Sequence, residues 1–238
     1  MSSCGAGWSL SLPVLYALLL CICMLLMSRW IIRQRDFPGR FGFALLHLAA
    51  LWWVSTAAAE MSAQAAACKM FWASMAWPGL VATPTFWALF LWQYVNSENQ
   101  PLARRSLLAL AVVPLGAWLM ALSNPWHGLF YLKGTAPISA DPGAPLHYLH
   151  GPLFFAVSGY VYLMMLLSVV VVLRAAFLSH GRHRRHYLIF TALSALPLIA
   201  HFAYVHYDWT VFGFDPTPLS FVFVLVAFVA LIFGGRMF

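Results

Sequence analysis

The sequence predicts an all-α integral membrane protein, a seven-transmembrane helix bundle with its N-terminus outside and its C-terminus in the cytoplasm. Three observations carry that reading. Hydrophobic residues make up 63% of the 238 residues and charged residues 8%, whereas a soluble domain is roughly a quarter charged. The apolar residues fall into seven runs near the ~20 residues that cross a bilayer core. The arginines cluster between these runs, and only on alternate sides.

The first expected span, 8–30, has no charge between Ser2 and Ser28. It lacks the positive start of a cleavable signal peptide and reads as a retained helix. The second, 41–61, carries His47 about two turns from its cytoplasmic side and Glu60 at its outer end, within reach of water. The third, 70–95, contains Pro78 and Pro84; the fourth, 106–126, contains Pro114. The fifth is 149–176, the sixth, 187–207, contains Pro197, and the seventh is 217–236. An unpaired backbone cannot lie in hydrocarbon, so these runs are helices. The prolines mark helices that bend. Residues 1–238 form one domain on this reading, with any cytoplasmic output domain expected after residue 238.

Sidedness follows from the basic residues. With the N-terminus outside, Arg29, Arg33, Arg35, Arg40, Arg104, Arg105, Arg174, Arg182, Arg184, Arg185 and Arg236 are all cytoplasmic, 11 of the 13. Only Lys69 and Lys133 fall outside, both expected at the outer surface. The reverse orientation violates the positive-inside rule. The same clustering excludes a nucleic-acid binder, because no basic face is formed. The loop 179–186, with three arginines and three histidines, reads as a basic segment against anionic lipid headgroups.

The outer side holds the candidate chemistry. The long, proline-rich loop 124–149 is the only long connection. His127, His147, His150, His201, His206, Asp208 and Asp215 all fall on outer loops or outer helix ends. His147 and His150 would share a face if the fifth helix began there. No set of these has tight metal-ligand spacing, so no metal is expected. His150 and His201 are one conceivable bis-histidine haem pair, but nothing else supports a cofactor and none is expected. Retinal is excluded, because the seventh span has no lysine for a Schiff base. Cys4 and Cys68 both fall outside, where a disulfide between them is open to formation.

Two stretches resemble a known family. Asn124-Pro125-Trp126-His127-Gly128-Leu129-Phe130 follows the fourth span, and Gly213-Phe214-Asp215-Pro216-Thr217-Pro218-Leu219-Ser220-Phe221 opens the seventh. Both resemble the seven-transmembrane N-terminal input domain of bacterial sensor histidine kinases, also found fused to diguanylate cyclases. Gly151, Tyr160, Tyr162 and Pro197 fit the same pattern; His201 stands where the family often has Asn. The resemblance covers essentially the whole chain. It implies a sensor in the bacterial inner membrane, with a histidine kinase or cyclase output domain in cis and dimerisation in the membrane.

The chain itself has no ATP-binding glycine motif, phospho-acceptor helix or cyclase signature, so no enzymatic activity is expected of it. The expected ligand is a small molecule or a lipid. Its site is expected in the outer half of the bundle, at Asn124, His127, His150, His201, Tyr204 and Asp215. Asp215 is the foremost of these, because a carboxylate there can cap the amides that open the seventh helix. The alternative readings are a small transporter or channel, which needs a polar path that the apolar midplane does not offer, and a haem-binding redox protein.

Overall fold

The computed structural model describes residue 4 and residues 7–33, 37–98 and 100–233. Seven long helices are joined by one helical turn and a two-stranded hairpin: α1 Leu12–Arg33, α2 Arg40–Ser62, α3 Ala66–Val95, α4 Arg104–Leu122, α5 Asn124–His127, β1 Ala136–Pro137, β2 Leu146–His147, α6 Pro152–Leu178, α7 Gly181–Tyr207 and α8 Thr217–Phe233. Five of them, α1, α2, α4, α6 and α7, are long and apolar enough to cross a membrane by length and composition alone. The described part of α8 is shorter, and apolar apart from Thr217 and Ser220 in its first turn.

Helix α3 explains its own exception. It packs against α2, α4 and α6, so much of its surface meets protein and tolerates Ser, Thr, Gln and Trp. Hydrogen bonds between helices satisfy several of those polar groups. Trp87 donates to Ser194 Oγ at 3.1 Å, and the hydroxyls of Thr85 and Tyr160 share a bond at 2.9 Å. Such pairs hold helices together where lipid offers no hydrophobic drive. Gly79 permits the α2–α3 contact: a Cβ there would sit 2.7 Å from the carbonyl oxygen of Ala49. Helix α8 closes the bundle against α7, α2 and α1.

Two aromatic clusters divide the interior. Phe43, Trp87, Phe90, Phe190 and Phe228 fill the half nearer the arginines. Trp77, Phe130, Tyr131 and Phe154 fill the opposite, outer half.

Several helix limits differ from the sequence expectation. Helix α1 starts at Leu12 rather than residue 8; Trp8 instead bridges Ala63, and Ser9 donates its amide to Ser62 at 2.8 Å. Helix α4 stops at Leu122 instead of running to Trp126. Pro125 has no amide to continue the ladder, and residues 124–127 form a separate turn. The fifth span begins at Pro152, not at 149. His150 lies in a bridge to Tyr131, so His147 and His150 do not share a helical face. Most of the basic loop 179–186 is the start of α7. Lys69 is not at the surface: it lies in the first turns of α3, fully buried. Arg35, Arg236 and the expected extension of the seventh helix to 236 lie outside the described residues. The disulfide Cys4–Cys68 is formed, with a Cα separation of 5.1 Å, and ties the N-terminal segment to the start of α3.

Candidate functional site

The loop 124–149 is folded back on itself. Asn124 starts this: its Oδ1 accepts the amides of Phe130 and Tyr131 at 2.9 and 3.0 Å, and its Nδ2 donates to the carbonyl of Tyr131 at 2.9 Å. His127 Nδ1 accepts the Leu129 amide at 2.9 Å, and Gly128 takes the left-handed φ of 61° that ends the turn. The chain then pairs with itself: Leu132 donates to Leu149, and Gly151 to Phe130. The hairpin is tied down where Gly143 donates to the carbonyl of Gln64 at 3.2 Å.

Beneath this roof lies a cavity of about 100 Å³. Its walls come from the outer ends of α2, α3, α6 and α7, the start of α8, and the loops 146–150 and 208–215. The aromatic part is Trp53, Trp77, Tyr131, Phe154, Tyr204 and Phe214; the polar part includes Glu60, His147, Tyr148, His150, His201, Asp208, Thr210 and Asp215. The Tyr148 hydroxyl donates to Glu60 Oε1 at 2.7 Å, joining roof to α2. Trp77 Nε1 donates to the Tyr131 hydroxyl at 2.8 Å.

Asp215 Oδ1 accepts both the amide and the hydroxyl of Thr217, the first residue of α8. The carboxylate thus caps the helix while lining the cavity. Burial pushes its pKa up to about 6, against the opposing Thr217 bonds. Burial lowers His150 to about 4, so its ring is neutral at physiological pH. The Tyr148 and Tyr131 hydroxyls are held above their ordinary values by burial, with Glu60 adding to the effect on Tyr148. His201 is 4% exposed, and neither ring nitrogen has a partner. His150 Nε2 is likewise buried without one. Its ring stacks on Phe154 at 3.7 Å between centroids.

Of the six expected site residues, His150, His201, Tyr204 and Asp215 come together on the cavity wall. Asn124 and His127 do not line it. Their polar atoms hold the roof in shape and so set where Tyr131 stands. Glu60, Tyr131 and Tyr148 also line the cavity and are not among the six residues the sequence points to. The Tyr148–Glu60 bond spans 88 residues of sequence, and the Trp77–Tyr131 bond 54. Among the described residues, no group of three or more His, Cys, Asp or Glu is set to hold a metal ion.

A family model described as the N-terminal 7TM region of histidine kinase matches residues 13–238. No curated protein matches the chain.

Proposed function

Since the chain belongs to the family of N-terminal 7TM regions of histidine kinases, we propose that it senses an extracytoplasmic or membrane-borne stimulus and relays it through α8 to a cytoplasmic kinase module in cis. The setting proposed is the bacterial inner membrane. The observation that carries the reading is the double engagement of Asp215. One carboxylate both lines the outer cavity and caps the first amide of α8. A ligand that draws Asp215 toward itself weakens the cap. One that binds only while Asp215 stays on Thr217 favours the capped state. Either way, the two packings of α8 bind the ligand with different affinity, which is the thermodynamic requirement for a signal.

The test uses the full-length protein with its natural output domain. Asp215→Asn and Tyr148→Phe should each shift basal or stimulated autophosphorylation severalfold, with membrane abundance near the parent's. Parent-like signalling from both variants at normal abundance would remove the outer cavity from the sensing step.

A further inference from the structure

The lining of the outer cavity has an unusual charge balance. It contains three carboxylates, Glu60, Asp208 and Asp215, and no lysine or arginine. Glu60 feels the Lys69 ammonium and, in the opposite sense, the Asp215 carboxylate. Lys69 is the cation behind this wall, but its ammonium donates to the carbonyl oxygens of Glu60 and Met61, at 3.0 and 3.5 Å, rather than to a carboxylate. Carboxylates in a cleft whose lining holds no cation are costly.

A second observation points to a ligand. His201, 4% exposed and on the same wall, has neither ring nitrogen bonded. A polar group this deep without a partner is rare in a native fold. A neutral imidazole offers one lone pair to a donor. Tyr131 and Tyr204 line the same cavity. The site is thus rich in acceptors and negative charge.

We propose that the outer cavity binds a small organic ammonium, with its N–H donors on the Glu60 or Asp215 carboxylate and the His201 ring, and its apolar body against Trp53, Trp77 and Phe154. The assignment rests on the sensory reading and names the chemical class of its stimulus. A metal ion is disfavoured because, among the described residues, no three ligand-type side chains converge. An ammonium needs only one or two carboxylates plus neutral acceptors, and it gains from aromatic faces. The volume, about 100 Å³, exceeds the ~10–15 Å³ that one water requires and suits a body of a few carbons.

Calorimetry on the full-length protein in lipid nanodiscs tests this with three shape-matched probes at equal ionic strength: n-butylammonium, n-butanol and butyrate. Saturable binding is expected for n-butylammonium alone. Glu60→Gln should weaken it about tenfold, the worth of a charge-assisted hydrogen bond, and Asp208→Asn, an exposed carboxylate at the rim that makes no bond to the ligand, by a smaller factor that fades with added salt. Asp208 sits at φ 50°, a conformation Asn adopts readily, so that variant keeps its backbone. Asp141→Asn, on the exposed hairpin tip, should leave binding unchanged. Equal binding of butanol or butyrate, no saturable binding of n-butylammonium, or binding indifferent to both cavity variants would each overturn the proposal. The three-probe comparison needs only the parent protein, so a misfolded variant cannot rescue it. If butanol or butyrate binds instead and alters kinase output, the ammonium class falls and the sensory reading stands. If n-butylammonium binds as described while cavity variants leave kinase output untouched, the site stands and the sensory reading falls.

Discussion

The side chain of Asn124 closes on both backbone groups of Tyr131, accepting its amide at 3.0 Å and donating to its carbonyl at 2.9 Å. This clamp sets the height at which the Tyr131 ring enters the bundle, where its hydroxyl meets Trp77. The motif that follows α4 is therefore a folding device, and its link to the cavity runs through Tyr131.

Asn124→Ala removes three hydrogen bonds and strands the Phe130 and Tyr131 amides. At about 1 kcal/mol each the loss is about 2–3 kcal/mol, which lowers the apparent melting temperature in detergent by on the order of 5–10 °C. Asn124→Asp keeps the acceptor and loses only the donor, so its loss should be smaller. Equal melting of parent and Asn124→Ala would show that the clamp contributes nothing.

Asp215 gives a pH dependence with a definite sign. Its folded pKa is raised to about 6 from 3.8 by burial, so the folded state holds a proton that the unfolded state has released. Stability from this group is full below about pH 4 and is lost as pH rises through about 6. Acidifying from pH 7 to pH 5 should therefore stabilise the parent relative to Asp215→Asn, which cannot titrate. The measurement is the difference in melting temperature between the two proteins at each pH. A constant difference across that range refutes the shift.

Spans and sidedness were legible because their signals are local. Hydropathy is read within about 20 residues, and arginine position needs no partner. The exception was α3, where Lys69 looked like a surface cation but turns inward to cap the carbonyl end of α2. The site was only partly legible. His150, His201, Tyr204 and Asp215 stood out as polar or ionisable groups at outer helix ends, and they meet. Glu60 and Tyr148 meet only because the roof folds back over α2; neither has a neighbour in sequence that reports the other. Asn124 and His127 stood out as a motif, yet a motif marks a constrained geometry without saying whether a ligand or the backbone imposes it. Helix ends were shifted by Pro125 and Pro152, whose missing amides break or start a helix within a continuous apolar pattern.

The disulfide predicts a thiol count. Cys4 and Cys68 are bonded, and Cys21 and Cys23 are free. Protein extracted under denaturing conditions without reductant should take up two equivalents of a maleimide, and four after reduction. Cys4→Ser should expose Cys68 and give three. Four thiols in unreduced protein from the native membrane would mean the bridge does not form there.

The arginine asymmetry predicts the orientation. Arg29, Arg33, Arg40, Arg104, Arg105, Arg174, Arg184 and Arg185 all lie at or near the helix ends away from the cavity. Moving them outward would place eight guanidinium groups against the positive-inside rule, while the cavity with its three carboxylates would face the cytoplasm. Single cysteines at Lys133 and at His180 report the two sides, since both positions are exposed in connections between helices. Cys21 and Cys23 are first replaced by serine, and the bonded pair is left in place. A membrane-impermeant maleimide on intact cells should label Lys133→Cys at once and His180→Cys only after permeabilisation. The reverse pattern would put the cavity inside, and the stimulus would then have to come from the cytoplasm.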